Sequence, residues 1–406
     1  MLLAPWRSTE HPDKRAIAHM DLDAFFVSVE VLRDTRLKGL PLIIGGSSGR
    51  GVVSSCSYEA RRFGVHSGMP TRLALQLCPQ AKVISGDMES YSYYSRMVTD
   101  VIREEAPLFE KSSIDEFYID ASGMDRFFNT YQWCKELRTR IIHETGLTIS
   151  MGLSINKLVS KVATGEYKPN GEKYIDRGTE RDFLAPLSVR KLPMIGEKTA
   201  QFLMDMGVTQ VHILRDMPVK MLEKAFGKNG RSLWNKANAI DYTPVEPYSE
   251  RKSISTECTF QQDSIDVKKM KVMLTTMVEK LCFKLREEQK LASIVTVKIR
   301  YANFDTETKQ RHIPYTSADQ VIIGVVKELY DQLYTRRMLL RLIGVRLSGL
   351  VHGNYQISLF EDTEESIRLY QAMDRIKSKH GVDKLVRAAS IGMDRRIRMD
   401  NNLFAG

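Results

Sequence analysis

The 406-residue chain has no long apolar run: nothing in it approaches the ~20 residues that a membrane-spanning helix needs. Its opening stretch, MLLAPWRSTEHPDK, lacks the apolar segment and small-residue cleavage site of a secretory signal. A cytoplasmic protein is expected. Cysteine is sparse as well. The five residues Cys56, Cys78, Cys134, Cys258 and Cys282 are odd in number, widely spaced and without a CxxC pair, which argues against a zinc site and for reduced thiols. There is no repeat at solenoid spacing and no low-complexity block. Negative charge is in deficit, with 50 acidic against 60 basic residues and a net charge of +10. That balance favours a polyanionic partner, nucleic acid first, over a merely solubilising surface.

What is present reads as a mixed chain, long enough for about two to four domains. RAIAHMDLDAFFVSVEVL opens as a strand whose alternation puts His19, Asp21 and Asp23 on one face and Met20 and Leu22 on the other. It then turns helical, with Asp23 placed as an N-cap. Strand, glycine turn, strand and helix follow over 40–65, then a helix from 86, a hairpin in LFEKSSIDEFYIDAS, a helix, and a strand–helix pair in LTISMGLSINKLVSKVATGEY. GGSSGRG lacks the GxxxxGK[ST] spacing and reads as a hairpin turn, not a phosphate loop. An α+β fold with helices on one face of an antiparallel sheet is expected. From about residue 179 strands give way to short helices. The Pro-rich, charged 241–253 reads as a linker. Strands return in ISTECTF, ASIVTVKIRYANF and LLRLIGVRLSGLV, and a last amphipathic helix lies in the tail.

SSIDEFYID sets Asp115 and Glu116 side by side in an apolar run. An unpaired buried carboxylate costs several kcal/mol, about 5 or more. Strict alternation would send the two to opposite faces, so they converge only if the strand bends, and Ser112 and Ser113 supply a turn signal. If this strand pairs with the first, Asp21 joins them at the sheet rim. All-oxygen ligands would select a hard cation, Mg²⁺ or Mn²⁺, and two such ions would clamp a phosphoryl transfer. On spacing alone, caps and surface acids are the equal alternative.

IAHMDLDAFFVSVE, SYEARRFGVHSGMP, SIDEFYID and EYKPNG, in that order, resemble the Y-family translesion DNA polymerases, nearest the bacterial DNA polymerase IV branch, over about residues 16–350. The resemblance implies a right hand: palm at 1–33 and 87–178, fingers at 34–86, a helical thumb at 179–245, a linker at 246–253, an α+β little finger at 254–350 and a tail at 351–406. It implies that Asp21, Asp115, Glu116 and the Leu22 carbonyl hold two Mg²⁺ ions, with Mn²⁺ the alternative, for addition of dNTPs to a primer 3′ end. Asp23 is expected to be structural, as a helix cap. Tyr58, Arg61 and Lys168 would grip the triphosphate, with Ser55 adding a hydroxyl. Phe26 would be the steric gate against a ribose 2′-hydroxyl, and Phe25, also beside the nucleotide, fits a core position better. Val52 and Ser54 would pack against the nascent base pair.

KLPMIGEKTAQFL resembles a helix-hairpin-helix in which Ile195, Gly196 and Lys198 meet a DNA phosphate. Met194 stands where that hairpin usually has glycine, which puts the tightness of the turn in question. The second α+β domain is basic, and Arg251, Lys252, Lys298, Arg300, Arg336, Arg337 and Arg341 would contact duplex phosphates, with Lys309, Arg311 and Arg346 in the same patch. QISLF resembles a sliding-clamp peptide, with Gln356, Leu359 and Phe360 docking in an apolar groove. No 3′–5′ exonuclease segment is expected, and the working form is expected to be a monomer acting on primer-template DNA away from membranes. A nucleotide cyclase with a similar palm, and a catalytically inactive DNA-binding scaffold on a clamp, are the competing readings.

Overall fold

A strand whose polar and apolar positions alternate needs one greasy neighbour and one polar one, and the first strand has both. The protein is described from a computed structural model, which covers residues 15–46, 49–126, 129–353 and 363–388. It divides into two units between Ser249 and Glu250.

The first unit is built on β1 (Ile17–Leu22), α1 (Phe25–Arg33), β2 (Leu42–Gly45), β3 (Val53–Cys56), α2 (Tyr58–Arg61), α3 (Thr71–Leu77), β4 (Lys82–Ile84), α4 (Met88–Glu105), β5 (Phe109–Lys111), β6 (Glu116–Asp120), α5 (Thr130–Thr145), β7 (Ile149–Ser154), α6 (Lys157–Glu166) and β8 (Glu172–Tyr174). β5, β6, β1, β7 and β8 form a five-stranded sheet in that order. β1 lies antiparallel to both neighbours, while β8 runs parallel to β7 at the edge. Met20 and Leu22 of β1, Phe117 and Ile119 of β6, and Met151 of β7 face a core closed by α1, α4 and α5.

The other face is also covered, which the expectation of helices on one side did not foresee. α6 packs on β1 and β7 there. The approach is possible because β7 offers Ser150, Gly152 and Ser154 on that side. A Cβ at Gly152 would lie 2.3 Å from the Ser160 carbonyl oxygen and 2.7 Å from the Thr164 nitrogen, both helix backbone atoms. Asn156 starts α6 by accepting the Val159 N–H at 2.9 Å, and its amide donates to the Ala239 carbonyl at 2.8 Å.

β3, β2 and β4 make a small separate sheet around Ile43, Val53 and Cys56, in which β2 and β3 are antiparallel. Beyond β8 the unit continues in five short helices: α7 (Glu180–Leu184), α8 (Glu197–Asp205), α9 (Val211–Asp216), α10 (Val219–Phe226) and α11 (Lys228–Ala237).

The second unit holds β9 (Ser253–Ser264), α12 (Val267–Glu287), β10 (Lys290–Tyr301), β11 (Thr306–Thr316), α13 (Asp319–Leu333), β12 (Leu340–His352) and α14 (Thr363–His380). Its sheet runs β11-β10-β12-β9, all antiparallel. Val295, Val297, Ile299, Ile343 and Val345 face α12 and α13. β11 was not foreseen, because its burial is slight and Pro314 interrupts it; both suit an edge strand. α14 folds back on its own unit: Tyr370 is buried, and Asp374 takes both Nε and Nη2 of the buried Arg286, at 2.6 and 2.9 Å. All five cysteines are buried, and none is in a disulfide. Among the described residues no helix is long and apolar enough to cross a membrane.

The Gly152→Ala variant is expected to lose about 1–3 kcal/mol of stability, since the added methyl must push α6 off β7. Urea unfolding with an unchanged m-value checks this.

Candidate active site

Three acids occupy neighbouring backbone positions where β1 ends. Asp21 and Glu116 are directly opposed partners in the antiparallel β1–β6 register. Asp115 lies in the turn just before β6, and its carbonyl accepts the Leu22 N–H at 3.0 Å. The bend expected from the serines is there. Ser113 Oγ accepts the Glu116 N–H at 3.0 Å and donates to Asp115 Oδ1 at 2.5 Å, which turns the chain and fixes the Asp115 carboxylate.

Lysines neutralise the other two acids. Lys168 donates to Asp21 Oδ1 and lies 3.3 Å from the Leu22 carbonyl oxygen. Lys161 meets both oxygens of Glu116, at 2.7 and 2.6 Å. A third pair continues the row: Lys157 reaches both oxygens of Glu110, each at 2.7 Å. Behind Glu116, the buried His19 has Nε2 at 4.0 Å from the carboxylate and Nδ1 at 2.9 Å from Thr164 Oγ1. Burial, then Lys161, Lys168 and Lys157, hold His19 well below its ordinary pKa, so it is neutral. Burial pushes Asp21 up to about 7; Lys168 draws it down, and Glu116 and Asp115 push it up.

Among the described residues no three His, Cys, Asp or Glu side chains stand close enough together to hold a metal ion. The donor chemistry nonetheless suits a hard cation: carboxylates and a main-chain carbonyl, with no thiolate in the set. An ammonium already bridges the Asp21 carboxylate and the Leu22 carbonyl, two of the four expected ligands.

Asp23 is structural, but it does not cap α1: the N-cap position is Ala24, with no side-chain cap. The buried Asp23 carboxylate instead accepts Ser150 Oγ at 2.7 Å and the Asn170 N–H at 2.8 Å. It therefore ties the KPNG loop, and with it Lys168, to the sheet. Asn170 sits at φ +51°, a left-handed conformation that asparagine tolerates.

Tyr58 and Arg61 share a face of α2, with the guanidinium 4.6 Å from the tyrosine ring centre. Arg61 Nε also donates to the Cys56 carbonyl at 3.3 Å. Burial and the nearby Asp23 raise the Tyr58 pKa, so the phenol stays protonated. Ser55 is buried on β3 beside Ile44. Phe26 is half-buried and stacks on Tyr91, centres 4.3 Å apart and planes at 14°; Tyr91 is itself fixed by donating to Glu30 at 2.7 Å. Phe25 is 3% exposed in the core, so its ring is unavailable to a nucleotide.

Met194 takes φ +64° and is 92% exposed, so the hairpin turn forms without glycine. Ile195 is half-buried against the helical core, while Gly196 and Lys198 are exposed at the start of α8.

In the second unit Lys298, Arg300 and Arg346 lie on the sheet face opposite the helices, as alternation required. Several basic groups there are paired within the chain. Lys298 meets Glu257 at 2.9 Å, Arg251 meets Glu288 at 3.1 Å, and Arg336 meets Asp305 and Glu307, each at 2.9 Å. Arg300 donates to Thr306 at 2.8 Å, and Arg341 lies over the Phe304 ring. Lys252 and Arg337 are exposed. Lys309 and Arg311 fall on the edge strand β11, where Arg311 pairs with Glu328. Gln356, Leu359 and Phe360 lie outside the described residues.

Two family models match the chain: the impB/mucB/samB family over residues 20–165 and its C-terminal domain over 251–359. The DNA polymerase IV of Dehalococcoides mccartyi (strain CBDB1) is 36% identical over 371 residues, 90% of this chain and 95% of that protein. The DNA polymerase IV 2 of Methanosarcina mazei is 36% identical over 358 residues, 86% of this chain and 96% of that one. Among solved structures, a Y-family DNA polymerase chimera of Dbh and Dpo4 superposes with TM-score 0.74 at 26% identity, covering 83% of this chain and all of that one. The chain belongs to the Y-family DNA polymerases. DinB from Sulfolobus solfataricus, with TM-score 0.58 at 26% identity, matches 84% of this chain and all of its own. The α+β Y-family fold, with its C-terminal little-finger domain, is therefore this protein's fold.

Lys161, Lys157, Tyr91 and Glu110 escaped the sequence reading. The signal was available for the lysines: Lys157 and Lys161 are four apart on a helix and so share a face.

Because burial raises the Asp21 pKa, the proton is bound more tightly in the folded state. Its stabilising contribution is whole below the ordinary carboxylate pKa and is lost as pH rises through about 7. Metal-free protein should lose stability between pH 4 and pH 8, and Asp21→Asn should flatten that decline; denaturant unfolding at several pH values checks it.

Proposed function

We propose that the protein is a DNA-directed DNA polymerase that adds dNTPs to a primer 3′ end at the Asp21–Asp115–Glu116 site, with low fidelity and bypass of damaged template. The observation that supports this is the placing of three acids, from β1, the turn before β6 and the first residue of β6, at neighbouring backbone positions, in a chain of this family. Two divalent ions, Mg²⁺ before Mn²⁺, held by these acids and the Leu22 carbonyl would supply charge neutralisation at the 3′-hydroxyl and the triphosphate. Phosphoryl transfer needs positioning and electrostatics more than a protein nucleophile.

The chain's own groups do the rest. Arg61 and Tyr58 present a planar fork and a protonated phenol to the β- and γ-phosphates, and Ser55 adds a hydroxyl. Lys168, anchored through Asp23 and Asn170, exchanges its bond to Asp21 for a phosphate. Phe26, braced by Tyr91, stands under the sugar and excludes a 2′-hydroxyl. Ile195, Gly196 and Lys198 hold the duplex by its phosphates. Arg251, Lys252, Lys298, Arg300, Arg336, Arg337 and Arg341 do the same along the little finger, several after releasing an internal acid. Gln356, Leu359 and Phe360 dock on a sliding clamp. The enzyme works as a monomer in the cytoplasm.

Primer extension on undamaged and lesion-bearing templates tests the reading. Asp115→Ala with Glu116→Ala should abolish extension and spare DNA binding by gel shift. An unmutated protein that binds DNA and extends nothing would make it a scaffold. Phe26→Ala should raise ribonucleotide incorporation at least tenfold, roughly the weight of one lost steric contact of 1.4 kcal/mol; unchanged sugar discrimination removes Phe26 from the gate.

A further inference from the structure

We infer that Lys161 is a positioning residue for this reaction, holding Glu116 in the orientation from which it meets a divalent ion; the inference rests on the polymerase reading above. The three acids are not equally constrained. Asp115 is short and is held by Ser113 from within its own turn. Asp21 is short and extends from the central strand β1. Glu116 has one more rotatable bond and stands at the first residue of β6. Its other close polar neighbour is the buried His19 Nε2, which at 4.0 Å is beyond hydrogen-bond reach and has no partner of its own.

Lys161 supplies what is lacking. Its ammonium meets both carboxylate oxygens, at 2.7 and 2.6 Å, from a helix locked onto the sheet at Gly152. Both oxygens keep a second lone pair, so a carboxylate held in this way still has acceptor sites for a cation. The lysine and the ion are therefore compatible ligands of one group. Lys168 differs: it bonds the Leu22 carbonyl as well as Asp21, standing on the ion's own expected ligands, and must move aside. Lys161 has no such conflict. Lys157 on the same helix face grips Glu110 in the same two-oxygen manner, so α6 acts as a rigid rail of ammonium groups along the carboxylate rim.

The test compares Lys161→Ala, Lys161→Met and Lys161→Arg, with thermal unfolding to confirm that each is folded; Met keeps the apolar stem if Ala is unstable. Removal of the ammonium should lower kcat for primer extension about 10–100-fold, as loss of a group that orients a metal ligand does. KM for dNTP should stay within about twofold, and Arg should restore most of the rate. Independently of turnover, Mn²⁺ binding followed by electron paramagnetic resonance, with DNA and a non-hydrolysable dNTP present, should weaken about tenfold or more in Ala and Met. In a Glu116→Ala background the same Lys161 substitution should change Mn²⁺ binding no further. Unchanged kcat and Mn²⁺ affinity, or an equal loss in that background, overturns the inference while active unmutated enzyme leaves the polymerase reading standing. Unmutated protein that extends no primer overturns both.

Discussion

Two carboxylates on adjacent strands repel each other, and a sheet can bring Asp21 and Glu116 together only if positive charge comes with them. Everything around the site answers that constraint. The antiparallel register fixes the two acids opposite one another, and burial makes the ionisation of Asp21 costly enough to raise its pKa to about 7. In this structure the compensating charge is lysine, delivered from a single helix and the loop after it. The same demand for positive charge is what would draw divalent ions to the place in the proposed reaction.

The delivery depends on groups with no chemistry of their own. Gly152 lets α6 approach β7 at backbone contact. Asn156 sets where the helix begins, and so which residues point at the sheet. Asp23, two residues from a proposed metal ligand, holds the loop that carries Lys168. A family motif marks Asp23 and Lys168 as neighbours of the site without saying that the one places the other.

Much of this was legible in advance, and the limits are instructive. The alternation of His19 and Asp21 against Met20 and Leu22 gave the two faces of β1, because period-2 patterning is a local property. The serine turn before Glu116 was equally local, and so were the motif-borne acids. The covering of the second face was not, since it depends on which small residues of β7 meet α6 across space. Asp23 looked like a cap because it precedes a helix, yet its partners lie more than a hundred residues away. β11 hid because an edge strand buries little and carries no clear apolar signal. The basic residues of the second unit were visible as charges, but their internal partners, such as Glu257 for Lys298, required the sheet order.

The α14 contact bears on how the polypeptide matures as it is synthesised. The guanidinium of Arg286 is sealed inside the second unit against Asp319, and Asp374 completes its shell from a helix that follows the whole sheet in sequence. Glu279, likewise buried, takes its cation from Arg387, later still. Strands and helices translated earlier can collapse around their apolar face, but two polar holes stay open until α14 and Arg387 have followed. A fragment released before α14 would carry an unfinished core.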